Sequence, residues 1–418
     1  MKNFAKTWAW LPQMYFIQGL PNAICTSVAI VFYTMLGVGV GKTAVITSVI
    51  YLPWVLKALW APFVDSYSTK AKWVKSFAIV LSSLFLILAL SPFFESWVMI
   101  SMTCFWILAF ASATYDVAAD GYYMLALDEE SQAFFVGIRS SFYRLAVIFG
   151  AGGLLLICSF FIKKYDMSAK SAWSLSFVIC AVLVFVLSLL MFVFMPKASA
   201  DKNVKCESIK NIYKTFYETY KSFFAKKHII YILLFILFYR FAEAQLAKVA
   251  QPFLLAEKSV GGLSLDIGQL GLAYGTCGAI SLLLGGILGG IWIAKNGLKS
   301  QLWLMAMFMN VPNILYLLMA HYLPENFYLI SFFVSFEQFG YGFGFASYMT
   351  FMIVVSAGEN RTSQYAILTA FMALGFMLPG FFAGYTQEYL GYYGFFIWLM
   401  IATAVSFAAT YCAHKALR

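Results

Sequence analysis

Charge is scarce in this chain. Of its 418 residues, 18 are Asp or Glu and 28 are Lys or Arg, so that 11% carry a charge, against about a quarter in ordinary soluble domains. Hydrophobic side chains make up 62% of the sequence. A fold that buries one core in water is excluded by these proportions, and the chain is interpreted as an integral membrane protein.

Cysteine and histidine are also few and scattered. The seven Cys show no CxxC pairing and lie mostly within apolar runs, and the three His have no metal-ligand spacing. We therefore expect buried, unpaired cysteines, no metal site and no cofactor. The net charge of +10 is spread over many short loops, which does not predict a nucleic-acid partner.

Long apolar runs recur along the whole chain, and about twelve of them have twenty or more residues. Each can cross a hydrocarbon core about 30 Å thick at about 1.5 Å per residue. These runs are apolar on every face, whereas a barrel strand alternates. The sequence predicts an all-α membrane protein with about twelve transmembrane helices.

Lys and Arg are distributed unequally between alternate loops. With the N-terminus inside, about eighteen of them lie on the cytoplasmic side and about five on the other. Both termini are therefore predicted to be cytoplasmic, in a multi-pass membrane protein.

A polar, Lys-rich stretch at 196–228 divides the apolar runs into six and six. We expect an N-terminal six-helix bundle (1–195), a cytoplasmic linker with an amphipathic helix (196–228) and a C-terminal six-helix bundle (229–418). Short basic loops at equivalent places hold Asp65 in the first half and Lys295, Gly297 and Lys299 in the second. They favour a duplicated major facilitator fold with a central site, in which these loops act as a gate.

Ionisable residues inside the apolar runs each cost about 2.5 to 3.5 kcal/mol on insertion scales, so each needs a partner, a cavity or a function. Lys248, near the outer end of its helix, is expected to reach the membrane interface. The embedded charges are Lys57, Asp116, Asp120, Arg139, Arg144, Arg240, Glu243, Lys248 and Glu337.

Asp116 and Asp120 are four residues apart, which places both carboxylates on one helix face. At about 1.5 Å per residue they lie about 18 and 12 Å from the cytoplasmic helix end, and Arg144 of the next helix lies about 15 Å deep. Two interpretations stay open. The cluster is a fixed ion pair that holds helices together, or one carboxylate exchanges Arg144 for a proton as a transporter changes state.

In the second half, Arg240 and Glu243 are three residues apart and share a helix face. Glu337, followed by Gln338, lies about 16 Å from the outer face if its helix starts near Asn326. A self-paired scaffold and a contact with a transported solute are both compatible with this second cluster.

Six segments together resemble the AmpG muropeptide permease family, which is similar to the acetyl-coenzyme A transporters of the major facilitator superfamily. The resemblance extends from about Gln18 to about Tyr393. Its most specific part is the run that holds Lys57 between two prolines. The segments are QGLPNAI, YLPWVLKALWAPFVD, ATYDVAADGYY, FYRLAVIFGAGG, LFYRFAEAQ and EQFGYGFG.

The resemblance implies proton-driven import of anhydromuropeptides, which consist of an amino sugar and a peptide. Lys57, Arg144 and Arg240 would then meet peptide carboxylates, with Glu243, Glu337 and Gln338 near the solute. Tyr115, Tyr122 and Tyr123 would stack on sugar rings, or else pack inside the bundle. The family usually has Gln at position 115 and the pattern Asp-Ala-Tyr-Arg where this chain has Asp120-Gly121-Tyr122-Tyr123, so this chain departs from the family pattern at positions 115, 121 and 123.

Other functions stay open. A sugar, a peptide or acetyl-coenzyme A could be the solute, and the Asp-x-x-x-Asp spacing also occurs in intramembrane enzymes that bind magnesium pyrophosphate. Such enzymes need a second Asp-rich motif, which this sequence does not have. We expect a non-enzymatic transporter whose partners are a small solute, protons and the lipid bilayer, and which works as a monomer.

Overall fold

A computed structural model describes residues 7–127, 129–196, 217–218, 220–356 and 361–417, and over these ranges the chain is helical, with no strand. The prediction of an all-α protein is confirmed. The helices are α1 Leu11–Met35, α2 Val40–Val49, α3 Leu52–Tyr67, α4 Lys70–Leu90, α5 Trp97–Ala126, α6 Glu129–Ile148, α7 Leu154–Tyr165, α8 Ala169–Phe194, α9 Ile229–Phe238, α10 Phe241–Leu255, α11 Ile267–Asn296, α12 Leu298–Tyr322, α13 Phe327–Val355 and α14 Arg361–Ala416.

Several of these helices are halves of one membrane span. Short interruptions join α2 to α3, α6 to α7 and α9 to α10, whereas α14 contains two helices that meet at Gly391, where φ is +68°. Counted this way, the described helices form twelve consecutive segments, as the sequence predicts. Within the described ranges, nine stretches are long and apolar enough to cross a membrane by length and composition.

Polar side chains cap several of the helices that start in loops. Thr69 accepts a hydrogen bond from the backbone N–H of Lys72 at the start of α4, and Asp266 accepts two at the start of α11. Asn326 accepts two more at the start of α13. Because the first N–H groups of a helix have no partner within it, these caps fix where the spans begin.

The chain divides into two compact units. The first unit contains Met1–Phe32 and Leu56–Ile212, and the second contains Tyr33–Val55 and Tyr213–Arg418. The segment Tyr33–Val55, which includes α2, therefore packs with helices far from it in sequence. The linker predicted at 196–228 falls mostly outside the described residues, so the predicted domain boundaries and its amphipathic helix stay predictions.

Large apolar side chains are exposed along the outer faces of the helices. On α8, Phe185, Val186, Leu189 and Val193 are all exposed. Such a stripe is unfavourable in water, whereas the hydrocarbon tails of lipids solvate it. The backbone polar groups form their hydrogen bonds within the helix. These stripes are the lipid-facing surfaces of a multi-pass membrane protein.

In the second unit, glycine allows α11 and α13 to pack with their backbones in contact. A Cβ atom at Gly342 would lie 2.0 Å from the carbonyl oxygen of Leu282, and one at Gly285 would lie 2.1 Å from that of Phe339. Small residues at such crossings are typical of membrane helices, where close packing replaces the hydrophobic effect. This close packing holds Glu337 and Gln338, which α13 carries, inside the unit.

Candidate functional site

In the first unit, Asp116 of α5 is held by two side chains from other helices. Its carboxylate forms an ion pair with Lys57 Nζ of α3 and accepts a hydrogen bond from Gln18 Nε2 of α1. The site is open to solvent to some degree, since the Lys57 side chain is 37% exposed and that of Asp116 is 17% exposed. Lys57, predicted as a solute-binding cation, is thus already paired with a carboxylate.

Asp120 lies one turn further along α5 and has partners of its own. It accepts a hydrogen bond of 3.0 Å from the Tyr15 hydroxyl and lies 3.4 Å from Nη2 of Arg139. The Arg139 guanidinium also lies 4.9 Å from the centres of the Tyr15 and Tyr123 rings. Two aromatic rings and a carboxylate therefore hold this cation in place.

Arg144 does not occupy the place that the sequence analysis gave it. It is exposed and, within the described ranges, forms no ion pair with Asp116 or Asp120. Arg139 and Arg144 are about 140° apart around their helix, so only one of them can face α5. Depth alone could not choose between them, because the rotation of the helix depends on packing.

The three tyrosines expected near a sugar are packed within the first unit. Tyr115 is fully buried, and its hydroxyl donates to the carbonyl oxygen of Met14. Tyr122 is also fully buried and meets Trp10 edge to face. Tyr123 is 4% exposed and covers Arg139. The geometry favours the packing interpretation for all three.

In the second unit, the helix that carries Arg240 is interrupted there. α9 ends at Phe238 and α10 begins at Phe241, with Arg240 at φ −98° and ψ 19°. The guanidinium contacts Oε2 of Glu243 through Nη2 at 2.9 Å and Nε at 3.0 Å. Nη2 also donates to the Tyr341 hydroxyl at 2.6 Å. The expected pairing of Arg240 with Glu243 is present.

Aromatic rings close around this pair. The guanidinium of Arg240 lies 4.5 to 5.3 Å from the ring centres of Phe376, Phe345 and Tyr341. The two charged side chains are 9% and 7% exposed, far less than the pairs of the first unit. The pair is thus enclosed, which is typical of a structural ion pair in a low-dielectric interior.

Glu337 and Gln338 are both buried on α13, as the sequence suggested. Gln338 Nε2 donates to Glu337 Oε2 at 3.0 Å, and Glu337 is 1% exposed. In the part of the chain that the structure describes, no Lys or Arg forms an ion pair with Glu337. The expected midplane cluster thus holds two carboxylates, of which only Glu243 contacts an arginine.

Lys248 does not reach the membrane interface, and that prediction is wrong. It is 3% exposed, its Nζ donates to Thr47 Oγ1 at 3.2 Å, and it lies 5.8 Å from the centre of the Phe376 ring. The cause is the packing of α10 against α14 and α2 within the second unit, which covers this side of the helix. The sequence around Lys248 does not indicate that these helices bury it.

The predicted gate residues lie at helix ends. Lys295 is in the last turn of α11, Gly297 follows it with φ +80°, and Lys299 is in the first turn of α12; both lysines are exposed. Gly297 allows a left-handed turn that an L side chain disfavours. Asp65 falls in α3, and its side chain lies outside the described residues.

Over the described ranges, no three His, Cys, Asp or Glu side chains are grouped as metal ligands. Asp116 and Asp120, which have a magnesium-like spacing, contact Lys57 and Arg139. What this cluster can do chemically is exchange partners, because each carboxylate has a cation beside it and some access to water.

Sequence reasoning missed Tyr15 and Gln18 as partners of the two carboxylates. They are three residues apart on α1, so they share a face, and two polar residues of one face in an apolar run are a usable signal. Arg139 was identified as an embedded charge and given no role. Its position between Tyr15 and Tyr123 requires knowledge of how three helices pack.

Comparison with known proteins places this architecture in a family. The family model of the Major Facilitator Superfamily matches residues 13–378. Two relatives with the name "Putative transporter AmpG 4", from Rickettsia conorii and Rickettsia felis, are 25% and 26% identical over 92% of this chain and 91% of their own length.

Solved structures of transporters have the same fold. A bacterial homologue of the human lysosomal transporter Spinster, in an inward-facing unoccupied conformation, has a TM-score of 0.73 at 16% identity and covers 98% of this chain and 97% of its own. The nucleoside transporter NupG has a TM-score of 0.70 at 16% identity and 98% coverage of both chains. The chain therefore belongs to the Major Facilitator Superfamily, and it is a secondary transporter similar to the AmpG relatives.

Proposed function

We propose that this transporter imports anhydromuropeptides by alternating access and that the proton gradient drives the import. Similarity to relatives named AmpG over nearly the whole chain supports the choice of substrate. The observation that carries the proton coupling is the set of two partly exposed ion pairs formed by Asp116 and Asp120.

The coupling follows from charge balance in the first unit. Asp116 and Asp120 carry two negative charges, and Lys57 and Arg139 carry two positive charges. If a proton binds Asp116, the Lys57 ammonium loses its counter-charge. A peptide carboxylate of the solute can then replace it, so that proton and anionic solute bind together. Arg139 takes the role that the sequence analysis gave to Arg144.

The second unit has a different role in this proposal. The enclosed Arg240 and Glu243 pair stabilises the helices around it, so the solute contacts that the sequence analysis gave to these two residues are not retained. The gate in this proposal consists of Asp65 near the end of α3 and of Lys295, Gly297 and Lys299 where α11 meets α12. No role in sugar stacking is retained for Tyr115, Tyr122 and Tyr123, because each is occupied by packing.

Proteoliposomes with an imposed proton gradient test the function. They are offered labelled anhydromuropeptide, a simple peptide, a simple sugar or acetyl-coenzyme A. We expect uphill uptake of the anhydromuropeptide, abolished by a protonophore. Uphill uptake of only one of the other three solutes would contradict the proposed substrate and identify the alternative. Uptake that is unchanged by the protonophore would contradict proton coupling.

We further propose that the protein is a monomer in the bacterial inner membrane with both termini cytoplasmic. Lys258 and Lys299 lie at helix ends on opposite sides of that topology. In a cysteine-free background, Lys258→Cys should react with an impermeant maleimide in cells with a permeable outer membrane, and Lys299→Cys should react only after lysis. The reverse labelling pattern would contradict the proposed topology and place both termini outside the cytoplasm.

A further inference from the structure

One carboxylate in the second unit differs from those of Asp116, Asp120 and Glu243. Glu337 is ten residues into α13, about 15 Å along the helix, and is 1% exposed. It accepts a hydrogen bond of 3.0 Å from Gln338 Nε2. Asp116, Asp120 and Glu243 each have a Lys or Arg within ion-pair distance. Among the described residues, Glu337 has none.

Polar groups from α10, α11 and α12 lie near Glu337, but among the described residues no cation forms an ion pair with it. Glu243 of α10 is the charged group that acts on it, and that carboxylate is already bound to Arg240. Tyr274 of α11, Tyr316 of α12 and Tyr341 of α13 also lie within electrostatic range. The Tyr316 hydroxyl is buried and has no hydrogen-bond partner in the described structure.

This environment suits a carboxylic acid better than a carboxylate. An ionised carboxylate without a cation is costly to bury, whereas the neutral acid needs only hydrogen bonds. The Gln338 amide can serve both forms, because its N–H donates to a carboxylate and its C=O accepts from the O–H of an acid. A site that can hold either form, inside a transporter, is a place for a transported proton.

We propose that Glu337 is a second proton-binding site, separate from the Asp116 and Asp120 cluster. It takes up one proton to become the neutral acid while it is enclosed, and it returns that proton when the transport cycle brings water or a cation to it. The proposal rests on the proposed proton-coupled transport, and it moves Glu337 from solute ligand to proton carrier.

Transport assays distinguish a proton carrier from a solute ligand. Glu337→Gln keeps the size and the hydrogen bonds of the acid but cannot release a proton. We expect this variant to lose proton-driven accumulation of labelled anhydromuropeptide while it keeps exchange of labelled for unlabelled solute across the membrane. Glu337→Asp, which can still titrate, should keep part of the accumulation.

Infrared spectroscopy of the purified protein gives a readout that needs no substrate. The carbonyl band of a protonated carboxylic acid should be present at neutral pH in the wild type and lost in Glu337→Gln. Glu257→Gln, which changes an exposed loop residue, is the matched control and should keep the band. Size-exclusion profiles and thermal melting establish that each variant is folded.

Each result decides the proposal. Unchanged accumulation by Glu337→Gln, or an unchanged infrared band, would overturn it. Loss of exchange together with accumulation would make Glu337 a solute ligand and would overturn it as well. Failure of the proposed function looks different, because the wild type itself would then neither accumulate nor exchange the muropeptide, while the infrared result would still stand.

Discussion

The two units use the same charges in different ways. In the first unit, two carboxylates and two cations form two ion pairs between helices, and their side chains are 17 to 39% exposed. The second unit also has two cations and two carboxylates, which belong to Arg240, Lys248, Glu243 and Glu337. The one ion pair among these four residues joins Arg240 to Glu243 at the start of α10, and the two side chains are 9% and 7% exposed. Ion pairs that water can reach are able to exchange partners, whereas the enclosed ion pair stabilises the packing of the helices around it.

The largest expected effect is the removal of one partner from the enclosed pair. Arg240→Met leaves the Glu243 carboxylate buried without its cation, which costs about 3 to 5 kcal/mol. We expect a large fall in the melting temperature of the protein in detergent. If the double variant Arg240→Met/Glu243→Gln is no more stable than the single one, the unpaired charge is not the cause.

Close packing around the second cluster gives the next largest effect. Gly342→Ala places a methyl group 2.0 Å from the Leu282 carbonyl oxygen, so the backbones of α11 and α13 must separate, at a cost of about 1 to 3 kcal/mol. Gly290→Ala is the matched control, because its Cβ would meet nothing within 4 Å. Equal melting temperatures for the two variants would contradict the enclosed character of this unit.

The partly exposed pair should behave in the opposite way. Lys57→Met is expected to change the free energy of unfolding by less than about 1 kcal/mol, because solvent screens the pair, and to reduce muropeptide uptake strongly. Arg144→Met, at an exposed position with no ion pair in the described structure, is the control and should keep both stability and uptake. A Lys57 variant that is strongly destabilised would remove the contrast between the two units.

The smallest effect is expected at the loop pair of Lys258 and Glu325, outside the membrane spans. The Lys258 ammonium lowers the pKa of the Glu325 carboxyl below its usual value. Any stabilisation from this ion pair is therefore present above the pKa that Glu325 has in the unfolded chain. It is lost as the pH falls through the lower pKa that Glu325 has in the folded protein. Because Glu325 is exposed, Glu325→Gln should leave the melting temperature unchanged at every pH; a pH-dependent difference would show that loop pairs matter too.

Sequence reasoning predicted elements and partners that depend on local spacing. The helix segments follow from the apolar runs, and the pairing of Arg240 with Glu243 follows from their separation by three residues. Asp116 and Asp120 were placed on one face for the same reason. Each of these predictions needs only the geometry of a single helix.

Predictions that depend on how helices pack against one another were less successful. Choosing Arg139 over Arg144 requires the rotation of α6 about its axis. The burial of Lys248 requires knowing that Tyr33–Val55 packs in the second unit, which no local pattern indicates. The missing cation beside Glu337 is likewise a property of three neighbouring helices, and the sequence shows only that a carboxylate lies deep in a span.

The most direct test of the account measures proton-driven uptake of anhydromuropeptide by Asp116→Asn and Asp120→Asn proteins in proteoliposomes, at matched levels of insertion. At least one of the two variants is expected to lose uphill accumulation, because a neutral amide cannot exchange a cation for a proton. Full accumulation by both variants would contradict it.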